Sequence, residues 1–511
     1  MSLNQDTWYE FAGPDCLKDA LGLTPQPFRA DDTSFVQLRY IERYASELGC
    51  NSFAIESHYI DRDYIEDHSA FYSKNLFPYQ NSCRRVHFFK GTPDEVKKCF
   101  ENAIEAGSTL GTESYRAECE NISESQYLGF SVIKDLKGTP VGRTVMKCYK
   151  SDPANRDFKR RFSCTKKYVV HFCGCELNVD GLAFQQQDIG VSACATTALW
   201  SALQKTADVD PIAAMTPVQI TRLATQYSLP SGRPLPSEGL DIAQMCSAVQ
   251  AAGASPNLFR VNEDHLQARY ILRSAILSGF APVLAMKHPS LGGHAVVAVG
   301  LKEKQLGTPL NVHFHQHSVT GLYIHDDRLG PNLRCNYKLP TTLNKPLGLD
   351  IELRDSGDVE EWELLYVLVP MHPKIRLSFA NVEQLAADIV TELLALHESY
   401  IKGKFSVDNH PLAFDIQIHR CFKYVEKLIF EKNGIDTAHI GRISANISPA
   451  RYLAIIRVSG PFFSQFDLVI DSTGTITNPH YLAVIPTESG SEGSEMVGRY
   501  IAKVIGCPYA D

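Results

Sequence analysis

The stretch that most constrains the fold is a polar loop that turns into an apolar helix over residues 185–200. Ser192 is a plausible N-cap for this helix. Apolar residues follow it at helical spacing, namely Ala195, Ala198, Leu199 and Ala202. Cys194 then falls in the first helical turn, where free N–H groups and the macrodipole favour an anion. A thiol in that position is biased toward the nucleophilic thiolate, although a cysteine at a helix start also commonly serves as small core filler.

Two later segments add a histidine and a pair of carboxylates. Residues 291–300 begin with a Gly-Gly turn and continue as a short apolar run, which predicts a buried strand with His294 at its start. Residues 321–331 predict a second strand, which ends in Asp326 and Asp327. A nucleophile, a base and an orienting carboxylate on three successive elements follow the logic of a catalytic triad.

The two adjacent carboxylates can be told apart by strand parity. Successive strand side chains point to opposite faces, so only one of the two can readily face the histidine. Asp326 shares its parity with the apolar Leu322 and Ile324, and we therefore predict that Asp326 points inward. Asp327 is expected to face solvent, where it would pair with Arg328 or fix the following turn.

The order Cys194, His294, Asp326 in these local contexts resembles the papain-like cysteine peptidase fold. The GGHAVVAVG segment, preceded by residues 280–285, is most similar to the double-glycine leader (bacteriocin-processing) peptidases. The resemblance covers about residues 180–335. It implies that Cys194 attacks, that His294 is the base and that Asp326 orients it. Asn332 is the alternative orienting residue, because many papain-like enzymes use asparagine.

The resemblance also implies a glutamine shortly before the nucleophile that helps to hold the oxyanion. Gln187 is the first choice for this role and Gln186 the second. The chain departs from the leader peptidases beside the nucleophile, where that group usually has Asp and Gly and this chain has Ala193 and Ala195. It also carries Asp188 at the position where that group usually has its glutamine.

The length of 511 residues predicts two to four domains. We predict an α+β protein with three parts: an N-terminal α/β accessory domain at 1–155, a papain-like catalytic domain at 156–350 and a C-terminal α+β accessory domain at 351–511. The basic run 156–161, interpreted as a solvated linker, marks the first boundary. A shift in composition after Leu353 marks the second.

Charge and cysteine usage narrow the class of partners and the compartment. A net charge of −8 implies no global attraction to nucleic acid or to an anionic membrane. No apolar run reaches the roughly 20 residues of a membrane span, and no signal peptide is visible. The 14 cysteines are scattered along the chain, which favours reduced thiols and a cytoplasmic protein. We therefore expect no structural disulfide, with Cys173 and Cys175 unbridged on one strand spanning Tyr168 to Val179.

Two further segments carry residue types that bind metals. The acid- and tyrosine-rich segment 57–68 has irregular spacing, which favours a solvated or ion-paired helix face over a metal site. His313, His315 and His317 would share one face of a strand, a geometry suited to zinc or copper, but no carboxylate follows in register. We predict no metal and no cofactor.

Together these patterns predict a cysteine peptidase that cleaves an amide bond in a protein or peptide through an acyl-enzyme. An acyltransferase or a glutamine deamidase with the same triad remains an alternative, since the chemistry is shared. A catalytically inactive papain-like binding module is the alternative from another class, because a fold alone does not confer activity. The flanking domains are candidates for binding a protein partner.

Overall fold

The structure, a computed structural model, describes most of the chain in separate ranges. The described residues are 8–13, 15–23, 35–76, 78–150, 158–188, 190–191, 193–226, 235, 239–261, 265–304, 313–314, 318–340, 345–353, 357–396, 413–431, 441, 444–445, 447, 450–460, 463–487 and 492–509. None of the helices in these ranges is both long enough and apolar enough to cross a membrane.

The first part of the chain is built on a five-stranded sheet in the order β1-β2-β3-β4-β5, with every neighbouring pair antiparallel. Its strands are β1 (Trp8–Glu10), β2 (Ser52–Tyr59), β3 (Cys83–Phe89), β4 (Tyr127–Ile133) and β5 (Val141–Met146). Its helices are α1 (Cys16–Ala20), α2 (Val36–Glu47), α3 (Arg62–Ala70), α4 (Pro93–Leu110) and α5 (Thr112–Ser125), with a 3-10 turn at Tyr72–Lys74.

The antiparallel sheet differs from the α/β arrangement predicted for this part of the chain. The predicted capping box is present, since Thr92 and Glu95 bond reciprocally at the start of α4, with Pro93 as its first residue. Two helices, α4 and α5, follow β3 and pack against each other as a hairpin. The hairpin returns the chain to the end of the sheet that it left, so β4 runs antiparallel to β3.

A β-hairpin packs on α5 and corrects two expectations about its cysteines. Strands β7 (Lys166–Phe172) and β8 (Cys175–Gly181) replace the single strand that was predicted here. Cys173 and Gly174 form the two-residue turn with φ of 48° and 82°, values typical of a type I′ hairpin. The structure pairs Cys175 with Cys119 of α5 in a disulfide, so the prediction of no disulfide is wrong at Cys175. Packing of α5 against β8 brings the two Cα atoms to 5.5 Å, a separation a disulfide can span.

The middle of the chain contains a closed antiparallel barrel. Six strands pair in sequence, and the last of them pairs back onto the first. These strands are β10 (Val283–His288), β11 (Gly292–Lys304), β13 (Val319–Asp326), β14 (Gly330–Lys338), β15 (Gly348–Glu352) and β16 (Val359–Met371). Two further strands extend the sheet outside the ring, β6 (Phe158–Arg161) on β11 and β9 (Ser255–Arg260) on β16.

Four helices accompany the barrel among the described residues of this part of the chain. They are α6 (Cys194–Val209), α7 (Pro217–Ala224), α8 (Ile242–Ala251) and α9 (His265–Leu277). Helix α6 packs against β10, β11, β13 and β16 on one side and against α7 and α8 on the other. Most of its residues are buried, including Leu199 and Trp200, so the helix is fixed between the two layers.

The last part of the chain forms a third layered unit, which packs against α9 of the middle part. Its sheet has the order β12-β17-β18-β19-β20, with strands β12 (His313–Phe314), β17 (Ala413–Arg420), β18 (Tyr452–Gly460), β19 (Phe463–Thr475) and β20 (Asn478–Pro486). Its helices are α10 (Phe379–Leu396), α11 (Cys421–Glu431) and α12 (Glu492–Ile505). Arg420 joins it to the middle of the chain through Asp210, at 2.6 Å from Nη2 to Oδ1.

Both predicted domain boundaries fall inside the barrel sheet. Residues 158–161 of the predicted linker form β6, which pairs with β11, whereas residues 156 and 157 lie outside the described residues. The boundary at 350 falls within β15, and β16, which was assigned to the C-terminal domain, closes the barrel against β10. The composition shift after Leu353 therefore marks a loop between two barrel strands.

Candidate active site

Cys194 is the first residue of α6, as the sequence predicts. Ala193 precedes it in an extended conformation, and its carbonyl oxygen accepts the backbone N–H of Thr197 at 3.0 Å. The N-cap is therefore Ala193 and not the predicted Ser192, which itself lies outside the described residues. Cys194 is half-buried, and its thiol stands at the end of the helix where free N–H groups stabilise a negative charge.

The structure brings the three residues of the predicted triad together. His294 lies near the start of β11, and Asp326 is the last residue of the antiparallel neighbour β13. The His294 Nε2 atom is 3.0 Å from Asp326 Oδ1. The thiol of Cys194 lies close enough to His294 to raise the pKa of the imidazole. Because Nε2 faces the carboxylate, Nδ1 is the ring nitrogen that is available to the thiol.

Arg328 completes the surroundings of the histidine. Its guanidinium contacts Asp326 through Nη2 to Oδ2 at 2.9 Å, and its Nε lies 3.2 Å from His294 Nε2. Nε2 cannot both donate to a carboxylate and accept from a guanidinium. An ionised Asp326 takes the Nε2–H, and the Arg328 Nε–H then donates to Asp326 Oδ1 at 3.3 Å. The sequence places Asp327 in solvent, where it would pair with Arg328 or fix the following turn, but Arg328 pairs with Asp326.

Electrostatics favour a charged imidazolium at this position. Burial alone would lower the pKa of His294, but the charge and hydrogen bond of Asp326, the thiol of Cys194 and the charge of Asp327 together raise it to about 10. Burial would likewise raise the pKa of Asp326, but His294 and Arg328 outweigh it and hold that pKa well below its usual range. The site is therefore suited to a charged imidazolium next to an ionised carboxylate, with the thiol of Cys194 beside it.

Asp327 does not face solvent, and that expectation is wrong. It is buried, with Oδ1 at 3.7 Å from His294 Nε2. The strand ends at Asp326, so the alternation of faces no longer applies to the residue after it. Burial and the neighbouring Asp326 raise the pKa of Asp327 to about 7, against the effect of His294. The site thus holds two buried carboxyl groups, one with a lowered pKa and one with a raised pKa.

Asn332, the alternative orienting residue, is committed elsewhere. Its side-chain amide donates to the hydroxyl of Tyr44 at 3.0 Å, and its backbone N–H donates to Nδ1 of His325. His325 in turn donates from Nε2 to the carbonyl of Leu182. These contacts tie the β13–β14 turn to the neighbouring layers and leave Asp326 as the carboxylate on His294.

Trp362 and Glu360 were not identified from the sequence. The Trp362 ring lies 5.4 Å from the His294 ring between centroids, and its Nε1 donates to Glu360 Oε2 at 3.1 Å. The same carboxylate oxygen accepts from Arg328 Nη2 at 2.9 Å. Both residues come from one face of β16, the strand that closes the barrel, and a strand pattern alone gives no sign of such a role.

The two candidate glutamines have different environments. The side-chain amide of Gln186 donates to Gln37 Oε1 at 3.0 Å, and its own oxygen accepts the backbone N–H of Val141. Gln186 is thus engaged in packing between the first sheet and the middle of the chain. Gln187 is half-buried, and its side chain has no hydrogen bond to another described residue. Of the two, Gln186 is the one whose side chain is engaged by other described residues.

One group of side chains in the described part of the chain has a spacing that could hold a metal ion, namely His294, Asp326 and Asp327. The guanidinium of Arg328 already places a cation against two of these three residues. A metal would have to displace that ion pair, so the residues present do not favour one. Of the three histidines considered for a metal, His313 is in β12 without a described side chain, and the other two lie outside the described residues.

In segment 57–68, Asp61 pairs with Arg143 and Arg62 pairs with Glu66, as expected for an ion-paired helix face, while Ser57, His58 and Arg62 are exposed. Asp61 caps α3, and Asp63 and Asp67 are buried beneath it. The Asp63 carboxylate accepts the indole N–H of Trp200 at 3.2 Å, which ties α3 to α6.

Comparisons of the sequence with protein-family models and with curated protein sequences give no match.

Proposed function

We propose that the protein is a cysteine peptidase with a papain-like catalytic unit, in which Cys194 is the nucleophile, His294 the base and Asp326 the orienting carboxylate. One observation carries the proposal: the thiol at the start of α6 lies close enough to His294 to raise its pKa, and the Nε2 atom of His294 faces Asp326. This is the nucleophile, base and orienting group of a triad, each on a separate and rigid element. The division into helices around α6 and a closed barrel supports the fold assignment.

In the proposed reaction, Cys194 gives its proton to His294 and its sulfur attacks an amide carbonyl carbon. The backbone N–H of Cys194 and the amide of Gln187 stabilise the resulting oxyanion. The C–N bond then breaks, and the leaving amine takes the proton from His294. Water, deprotonated by His294, attacks the thioester, and the carboxylic acid leaves as the thiol is restored.

The remaining assignments are part of this proposal. The substrate is a protein or peptide, with no role for nucleic acid or membrane, and no cofactor takes part. The proposed catalytic unit extends through β16, because that strand closes the barrel. The N- and C-terminal units flank it and are candidates for contacts with a protein partner. We assign the protein to the cytoplasm, a choice supported by twelve free cysteines and opposed by the one disulfide.

A peptide library derived from a digested proteome tests this function. The full chain and a Cys194→Ala variant are incubated with the library, and new peptide ends are identified by mass spectrometry. We expect new ends with the wild-type chain that are missing with Cys194→Ala and with His294→Ala. An Asn332→Ala variant is the control, since Asn332 bonds Tyr44 and should keep activity. Identical peptide ends with the wild-type chain and Cys194→Ala would refute the proposal.

The same experiment separates the alternatives that share the site. Transfer to an added amine in place of water would identify an acyltransferase, and a mass gain of about 1 Da at glutamine would identify a deamidase. A binding module would give none of these products. The proximity of the Cys194 thiol to His294 supports an active enzyme over a module that has lost its chemistry.

A further inference from the structure

The loop before Cys194 is held by a carboxylate of its own. Asp188 accepts the backbone N–H of Gly190 at 3.0 Å and that of Val191 at 2.7 Å, both on Oδ1. The carbonyl of Val191 accepts the hydroxyl of Thr221, on α7, at 3.0 Å. The position of Cys194 at the start of α6 therefore depends on where Asp188 is fixed.

The other oxygen of Asp188 faces a cation from the N-terminal sheet. Lys134 follows directly after β4, and its Nζ is 3.5 Å from Asp188 Oδ2. The two side chains are only 3% and 1% exposed, so water does not screen this pair as it would at the surface. A buried charge without its partner is strongly unfavourable, and each residue therefore fixes the other.

The pair lies in an acidic environment. Asp67, from α3, accepts the backbone N–H of Val218 at the start of α7 and is buried near Asp188 and Asp63. Burial and the charge of Asp188 raise the pKa of Asp67 well above its usual range, while Lys134 opposes this. Burial and the neighbouring Asp188 also raise the pKa of Tyr72. Lys134 thus offsets the negative charge of these carboxylates beside the loop that precedes Cys194.

Aromatic side chains in the turn after helix α3 also restrict the loop sterically. A Cβ added to Gly190 would lie 2.5 Å from the ring of Phe71 and 3.1 Å from the hydroxyl of Tyr72. Such contacts are closer than packed atoms allow. The N-terminal unit therefore contacts the loop through a charge on one side and through aromatic rings on another.

We propose that Lys134 is a positioning residue of the active site, which acts through Asp188 to aim the thiol of Cys194 at His294. In this view the N-terminal unit is part of the catalytic centre and not an accessory to it. The inference rests on the proposed function, because it requires that the Cys194–His294 pair be reactive.

The test measures the second-order rate constant for alkylation of Cys194 by iodoacetamide, in the full chain, from pH 5 to pH 9. Lys134→Met should slow the reaction at pH 7 by about tenfold or more, because a small misplacement of a reacting group is costly. Its pH profile should move toward that of an ordinary thiol. Lys134→Arg should restore most of the rate. Lys137→Met, at an exposed position three residues away, is the matched control and should react like the wild-type chain.

A second variant covers the case in which Lys134→Met does not fold. Combining it with Asp188→Asn removes the unpaired charge, while the amide oxygen can still accept from Gly190 and Val191. This variant should also be slow and should retain a cooperative melting transition. A folded chain in which either variant alkylates within about twofold of the wild-type rate would overturn the inference, since a positioning role is worth more than that.

Failure of the inference differs from failure of the proposed function. A wild-type Cys194 that reacts no faster than Cys173 would refute both the peptidase proposal and the role of Lys134. A fast wild-type Cys194 that stays fast after Lys134→Met would overturn the inference alone.

Discussion

Asp326 and Asp327 are neighbours in the chain but have different tasks at His294. Asp326 makes the 3.0 Å contact with Nε2 and is paired with Arg328, whereas Asp327 stands at 3.7 Å. We predict that Asp326→Ala lowers kcat/KM about 10²- to 10⁴-fold on a peptide substrate without unfolding the chain, because it frees the imidazole to change tautomer and rotamer. Asp327→Ala should cost less than about tenfold. The reverse order would show that Asp327 orients the base.

The raised pKa of Asp327 leads to a prediction of how the stability of the chain depends on pH. Its pKa is about 7 in the folded chain, above the ordinary 3.8, so the folded state holds a proton that the unfolded state has lost between these values. Stability therefore falls as the pH rises from about 4 to about 7. Asp327→Asn carries no such penalty and should be more stable than the wild-type chain by about 1–3 kcal/mol above pH 7.

Thermal melts of the wild-type and Asp327→Asn chains between pH 4 and pH 8 show which of the two is more stable at each pH. The advantage of Asp327→Asn should shrink toward zero near pH 4, where the carboxyl is protonated in both states. Asp180→Asn, at an exposed position of β8, is the control and should show no such trend. An Asp327→Asn chain that is less stable at pH 8 would mean that the ionised carboxylate is needed in the fold.

At this scale the sequence predicts the triad residues but not their surroundings. The position of Cys194 follows from helical spacing, and those of His294 and Asp326 follow from turn and strand patterns. The burial of Asp327 does not follow, because parity describes a strand and Asp327 lies just beyond its end. The positioning role of Lys134 could not be predicted either, since nothing in the sequence of β4 indicates that its end contacts the loop before Cys194.

Among the elements, α3 and α7 make a hydrogen-bonded contact that the sequence does not predict. Glu66 of α3 accepts from the hydroxyl of Thr216 at 2.7 Å and from the amide of Gln219 at 2.9 Å, at the start of α7. Carboxylates stabilise a helix N-terminus both by capping and through the macrodipole. Glu66→Ala should therefore destabilise the chain by about 1–2 kcal/mol.

Denaturant unfolding measures this change, with Glu101→Ala on an exposed face of α4 as the control. The control should stay within about 0.5 kcal/mol of the wild-type chain. Equal stability of both variants would mean that the contact between α3 and α7 contributes nothing measurable.

A sequence signal predicts a helix or strand well when all the residues that carry the signal lie within that one element. The capping box at Thr92 predicts the start of α4, and the Gly-Gly turn predicts β11. Tyr168 to Val179 was predicted as one strand, because a two-residue turn at Cys173 and Gly174 interrupts the alternation by so little. Pairing between distant strands, such as β10 with β16, depends on tertiary packing and leaves no pattern in either strand.

At the scale of the whole molecule, closure of the barrel decides where the proposed catalytic unit ends. Strand β16 pairs with β10, β15 and β9, so its removal leaves three strands with an unpaired edge. A chain that ends at residue 350 should therefore fail to give a cooperative melting transition. A chain that ends at residue 371 keeps the barrel complete and should resist proteolysis better. Cooperative folding of the shorter chain would contradict the closed barrel.

The central claim is that Cys194 is activated by His294, and one measurement tests it directly. Iodoacetamide is added to the native chain at neutral pH in about one equivalent, and each cysteine is then followed by mass spectrometry. Burial raises the pKa of the other eleven free thiols, Cys99 and Cys173 included, so they should react slowly. We predict that Cys194 alone reacts fast and that His294→Ala abolishes its advantage. A Cys194 that reacts no faster than Cys99 and Cys173, or that keeps its rate without His294, would contradict the account.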